Sequence, residues 1–169
     1  MQGVLQQGRS RGKVTDNLKN IFARNCDVRR IEKPVAASFL EENHRFGDAA
    51  CRYRYGVFTR RSTGRGEAAL PAGTLVAAAE FSSGRTMKDG SRSFEWIRYA
   101  SLKGYRVQGG MGKVLAAFAQ EVKPDDVMTY SDPDSPDGGD VYEKLGFKSE
   151  GTVSKPGFTC EKFRLRYLK

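Results

Sequence analysis

Histidine is nearly absent from this chain: His44 is the only one among 169 residues. A single side chain therefore titrates near neutrality without help from its surroundings. Cysteine is scarce as well. Cys26, Cys51 and Cys160 are odd in number and fall in no metal-ligand spacing, so they read as thiols of a reducing compartment, cytoplasmic or organellar. No apolar run approaches the ~18 residues that a membrane-spanning helix needs. No internal repeat is evident. The length allows one sizeable core and is too short for two ordinary domains.

The chemistry that is present concentrates at Tyr105-Arg106-Val107-Gln108-Gly109-Gly110-Met111-Gly112-Lys113. A strand-like run, Ser93 to Leu102, precedes it. Val114, Leu115, Phe118 and Val122 follow on one helical face. Glycines at a strand-to-helix junction let the backbone turn sharply and approach a ligand. The first N–H groups of the helix lack internal partners and sit at the positive end of its dipole, which suits a phosphate or pyrophosphate. Two common phosphate motifs are excluded. Val114 follows Gly112-Lys113, so the magnesium-binding hydroxyl of a Walker loop is missing, and the G-x-G-x-x-G spacing is absent too. Gly-Gly-x-Gly opening a helix remains, and taken alone a plain glycine turn fits it equally well.

Downstream, Val127-Met128-Thr129-Tyr130 reads as a short strand. A polar loop runs from Ser131 to Asp140. Val141-Tyr142-Glu143-Lys144-Leu145-Gly146-Phe147 then reads as a short helix with Gly146 as its C-cap. This order, from about Ser93 to Lys155, resembles the core of the GCN5-related N-acetyltransferase (GNAT) superfamily. Val107 to Gly112 is similar to that superfamily's Q/R-x-x-G-x-G/A turn at both glycines and departs from it at Val107. Tyr142 to Phe147 resembles its Tyr-x-x-x-Gly-Phe segment. A narrower resemblance spans about Phe22 to Phe158. Phe39 to His44, Arg98-Tyr99, Gly104 to Gly110, Tyr130-Ser131-Asp132, Tyr142 to Phe147 and Ser154-Lys155-Pro156 occur in the order found in phage Mom-type DNA-modification acyltransferases. A related domain beside phage homing endonucleases shares that order.

The resemblance implies an α/β (α+β) GNAT fold. Its mixed, mostly antiparallel sheet would carry helices on both faces and a central βαβ cofactor unit. It implies an N-acyltransferase using acetyl-CoA or another acyl-CoA, with no metal. Val107, Gln108, Gly109, Gly110, Met111, Gly112 and Lys113 would hold the pyrophosphate, chiefly through backbone N–H groups. N–H groups at the end of the preceding strand, at Ser101 and Leu102, would hold the donor and the developing oxyanion. Tyr142 would protonate the leaving thiolate. Its reference pKa of about 10 lies close enough to a thiol's, about 8.5, for useful transfer. The alternative for Tyr142 is a packed helix tyrosine.

His44, at the end of an apolar helix, would act as base or orient the acceptor. A C-terminal histidine favoured by the helix dipole is the other reading. Asp132 would bind an amine or hold His44. The loop around it also reads as a turn and N-cap cluster, with Asp137 and Asp140 in suitable places. An EF-hand is excluded by the spacing. Direct transfer to an amine needs no cysteine nucleophile.

Charge bears on the acceptor. Lys and Arg number 29 against 20 acids, a net charge of +9, which favours a polyanionic partner such as DNA or RNA, although a cofactor pocket accounts for part of it. Arg52 and Arg54 alternate with Tyr53 and Tyr55, so a strand would carry arginines on one face and tyrosines on the other. The acidic loop after Tyr130-Ser131-Asp132 opposes phosphate. Two further classes therefore stand beside a base-modifying enzyme: an acetyltransferase of protein or small-molecule amines, and a non-catalytic nucleic-acid-binding domain of the same fold.

Residues 1–18, with Arg9, Arg11 and Lys13, read as a disordered leader; the segment is short and poor in serine for an organelle transit peptide. A single domain is expected over 19–169. Strands are expected near Cys26–Glu32, Cys51–Thr59, Leu75–Phe81, Phe94–Leu102, Val127–Ser131, Phe147–Ser154 and Glu161–Leu168. Helices are expected at Pro34–Asn43, Met111–Val122 and Gly139–Leu145. Arg60–Gly73 is expected to be a loop, and Gly84–Ser91 a turn.

Overall fold

The computed structural model describes residues 18–64, 66, 69–132 and 139–168. All but the last residue of the expected leader, together with Arg65 and the acidic segment 133–138 that includes Asp137, lies outside the described residues. In chain order the elements are β1 (Lys19–Phe22), a 3-10 turn (Ala23–Asn25), β2 (Cys26–Arg30), α1 (Lys33–Asn43), β3 (Tyr53–Thr59), β4 (Leu75–Phe81), β5 (Arg85–Thr86), β6 (Arg92–Ser101), β7 (Tyr105–Gln108), α2 (Gly110–Val122), β8 (Asp126–Tyr130), α3 (Asp140–Lys144), β9 (Lys148–Lys155) and β10 (Phe158–Arg166). Among the described residues no helix is long and apolar enough to cross a membrane.

The chain divides into two compact units. The first comprises the described residues of Asn17–Phe81 and Arg98–Lys123. Here β2, β3 and β4 pair antiparallel, with Val28 opposite Val57 and Tyr55 opposite Ala79. β4 is buried from Val76 to Phe81. Alternation along the strands sends Tyr55 and Phe81 to one face, where Phe118 of α2 stacks on Phe81 at 4.0 Å and meets Tyr55 edge-on. That face follows from the spacing of Val114, Leu115 and Phe118, all buried. Burying such a side chain contributes roughly 1.5–3 kcal/mol each. The other face receives Phe39 and Leu40 of α1 against Ala78 and Ala100. Pro34 stands in the first turn of α1, where its missing N–H costs nothing.

The expected Arg/Tyr alternation is present, but its outcome differs. Tyr53 and Tyr55 pack on Phe118, while Arg54 is only 18% exposed and lies 3.9 Å from the buried Glu80. Arg54 thus lies in an internal polar layer and not on an open basic stripe, while Arg52, just before the strand, is exposed. Other cations are similarly engaged: Arg30 with Glu121 at 2.8 Å, Arg60 with Asp27 at 2.7 Å, and Arg29 over the Phe58 ring at 3.8 Å.

The second unit comprises the described residues of Ser82–Ile97 and Pro124–Lys169. β5 pairs with β6 as a short hairpin, a strand where the sequence indicates only a turn. β6 pairs parallel with β8 over Ser93–Glu95 and Asp126–Met128. β10 lies antiparallel to both β8 and β9, with an irregularity between Glu161 and Phe163. A buried ion pair braces this sheet. Arg164 reaches Asp126 at 2.6 Å, Ser93 at 3.0 Å and Glu150 at 2.9 Å.

Candidate active site

The glycine turn forms as expected, one residue earlier. Gly109 is the N-cap of α2 with φ 79, a left-handed conformation suited to glycine. Gly110 begins the helix, and Lys113 N–H donates to the Gly109 carbonyl at 3.1 Å. The N–H groups of Gly110, Met111 and Gly112 therefore precede the first intrahelical bond. Gly110 is buried, and a Cβ there would collide with the Tyr99 hydroxyl and come within 2.9 Å of Val107 Cγ1. Only glycine lets the backbone lie so close to these two side chains. The turn thus leaves three consecutive N–H groups outside the helix's own bonding, the donor set that a pyrophosphate takes, and its residues fit that group.

Several expected cofactor residues have other tasks. Val107 is buried in β7 and packs behind the turn. Gln108 donates from Nε2 to Asn20 Oδ1 at 3.0 Å. Lys113 Nζ donates to the carbonyls of Ala23 at 2.8 Å and Cys26 at 2.5 Å, so its ammonium clamps the 3-10 turn to α2. Leu102 N–H donates to the Val76 carbonyl at 2.8 Å, which removes it as a donor to a ligand. Ser101 ends β6 and is half-buried.

Tyr142 belongs to the second unit, and its position has a local cause. α3 closes with Gly146 at φ 99. Phe147 N–H donates to the Tyr142 carbonyl at 2.9 Å and Gly146 N–H to the Glu143 carbonyl at 3.0 Å. This is the Schellman pattern, which brings the residue after the glycine against the one five positions earlier. The Tyr142 and Phe147 rings meet at 5.7 Å accordingly. Trp96 and Phe163 complete the enclosure at 6.3 and 5.5 Å. Burial, with the Asp132 carboxylate adding to it and Thr129 opposing, holds the phenol above its ordinary range. A proton is thus retained on Tyr142 at neutral pH. Asp132 and Tyr142 are brought into electrostatic range of one another.

His44 lies in the first unit as the C-cap of α1. Its Nδ1 accepts the Phe46 N–H at 2.9 Å. In the neutral ring this leaves the proton on Nε2, so that form donates rather than accepts there. The sequence marks the residue, but its tautomer depends on a contact two residues on.

Two features escape the sequence reading. One is β1, which pairs parallel with β7 so that Phe22 stands opposite Gln108. The other is Glu95. In Ser93-Phe94-Glu95-Trp96 the aromatic residues are buried, and Glu95 alternates to the opposite face. There it lines a cavity of 410 Å³ with Ser82, Arg85, Tyr130 and Lys162. That alternation is the signal that could have found it.

The parallel pairing of β6 with β8 within an otherwise antiparallel strand order matches the GNAT fold of solved structures. Spermidine/spermine N-acetyltransferase SpeG from Vibrio cholerae, crystallised with manganese ions, is similar with a TM-score of 0.61 and 10% identity, covering 85% of this chain and 94% of its own. Arabidopsis thaliana Naa50, bound to the bisubstrate analogue CoA-Ac-MVNAL, gives 0.59 and 11% over 85% of this chain and 99% of its own. An N-acetyltransferase from Staphylococcus aureus Mu50 gives 0.58 and 14% over 84% and 98%. At these identities the likeness is one of fold. No family model matches the sequence, and no curated protein matches it.

Proposed function

We propose that this protein is an acyl-CoA-dependent N-acyltransferase, with acetyl-CoA as the simplest donor. The observation that carries the reading is the turn Gly109–Gly112, which leaves its helix N-terminus open within a fold shared with acetyltransferases. The bound thioester would supply an activated acyl group for transfer to an amine. The N–H groups of Gly110, Met111 and Gly112 hold the pyrophosphate. Tyr142 keeps its phenolic proton at neutral pH and delivers it to the departing sulfur. Glu95, on the wall of the 410 Å³ cavity, receives the amine's proton. Asp132 stands by Tyr142 as the second carboxylate; for His44, in the first unit, the role in reserve is that of base or acceptor-orienting group.

For the acceptor, the Mom-like order of motifs and the +9 charge support a nucleic-acid base. Arg85 on the cavity wall suits a phosphate-bearing acceptor, while Arg164 and Lys162 beside it already face Glu150. An amine of a protein or small molecule is the second reading, favoured by Asp132 and the acidic sequence that follows it.

Calorimetric titration with acetyl-CoA tests the donor. Met111→Glu is the control, because an acid in the first helical turn suits the dipole yet repels a pyrophosphate. Micromolar binding that this variant loses supports the site; absence of binding by folded protein refutes it. Thiol release with oligonucleotide, peptide and polyamine acceptors then separates the acceptor classes.

A further inference from the structure

The N-terminal arm formed by β1 and the 3-10 turn is fastened beside the glycine turn at three points. β1 runs parallel to β7, with Phe22 opposite Gln108, the residue just before the turn. Asn20 and Gln108 are joined through their side chains at 3.0 Å. Lys113 Nζ holds the Ala23 and Cys26 carbonyls. Ala23 Cβ lies 3.7 Å from where a Cβ on Gly109 would stand. An arm held this firmly would normally bury its large apolar side chain. Ile21 is indeed buried at 3%, but Phe22 is 43% exposed. Arg24, also exposed, places its guanidinium 4.9 Å from the centre of the Phe22 ring.

We propose that Phe22 and Arg24 form the subsite for the 3′-phosphoadenosine end of the cofactor, Phe22 stacking on the purine and Arg24 pairing with the 3′-phosphate. This rests on the acyl-CoA reading. The Gly109–Gly112 turn takes the pyrophosphate, and the arm lies against Gly109, so the groups next to the pyrophosphate meet the arm first. Arg24 covers part of one ring face and leaves surface for a base. A planar guanidinium suits bidentate pairing with phosphate. Aromatic stacking tolerates any base, so the cation rather than the ring would supply the preference for the phosphorylated ribose.

The test is calorimetric titration of the full chain with CoA and with 3′-dephospho-CoA. Wild-type protein is expected to prefer CoA by about tenfold, as for one charge-assisted phosphate contact. Arg24→Ala should abolish the preference while its affinity for 3′-dephospho-CoA stays within about twofold of wild type. Phe22→Ala should weaken both ligands alike, by about tenfold, and Phe22→Trp should restore them. Thermal unfolding of each variant identifies any that misfold. Equal binding of both ligands by wild type, or unchanged binding by both alanine variants, overturns the subsite and leaves the acyl-CoA reading intact. Failure of folded wild-type protein to bind either ligand overturns both.

Discussion

Gly110→Ala tests the packing of the turn. The added methyl would point into the Tyr99 hydroxyl and stand 2.9 Å from Val107 Cγ1 and 3.2 Å from Val107 Cβ. Tyr99 is buried, which pushes its phenol up to about 12, and Val107 is 7% exposed, so neither can swing into solvent. Overpacking of this kind costs about 1–3 kcal/mol. The helix preference of alanine over glycine offsets at most about 1 kcal/mol of that. For a chain of this size each kcal/mol shifts the melting temperature by about 2–4 °C, so Gly110→Ala should melt several degrees low. The nearest colliding atom is the hydroxyl oxygen, and Tyr99→Phe removes it. The double variant should recover part of the loss, leaving the contact with Val107. Thermal unfolding of the four proteins of this cycle measures the coupling, expected at about 1 kcal/mol. A Gly110→Ala protein as stable as wild type, or a double variant with no recovery, would refute the close approach.

The acid and base can be separated by rate. Tyr142→Phe should lower kcat by about 10²–10⁴-fold while acetyl-CoA affinity holds, measured by thiol release and calorimetry. Glu95→Gln should lower kcat/KM by about 10²-fold or more in the same thiol-release assay. Glu80 offers a stability test. Burial first, then the hydrogen bond and charge of Asp48, raise its carboxyl to about 7. A folded pKa above the unfolded one means that its contribution is complete below about pH 4.5 and is lost as pH rises through 7. Denaturant unfolding should therefore show a loss of about 2–3 kcal/mol between pH 5 and 8, and Glu80→Gln should flatten that slope. Arg164→Met should destabilise by about 3–5 kcal/mol by stranding the buried Asp126, with Asp126→Asn recovering part of it.

What the sequence showed well were features with local causes. The glycine turn and the Tyr142–Phe147 cap rest on left-handed glycines and helix ends that a few residues determine. α1, α2 and the longer strands were legible from period and burial. β1 and β7 were missed because each has only four residues and gains its stability from the other. The Arg54 alternation was legible, but its burial beside Glu80 depends on a strand about 25 residues later. For the same reason Lys113 read as a phosphate ligand: nothing near it in sequence announces the carbonyls of Ala23 and Cys26. Leu102 lost its role to the Val76 carbonyl, another tertiary partner.

The parallel docking of β1 also bears on when the cofactor turn forms. Asn20 and Gln108 are 88 residues apart, and Ala23 and Lys113 are 90 apart. Contacts of such sequence separation come late, after the intervening chain has ordered and shortened the loop to be closed. During synthesis β1 emerges first yet waits for β7 before it has a partner. In the finished protein a four-residue strand held at one edge opens more readily than the core. Hydrogen exchange should therefore reach β1 before β3 and β4, and a ligand bridging arm and turn would slow that opening, so that occupancy itself would complete the assembly of this edge.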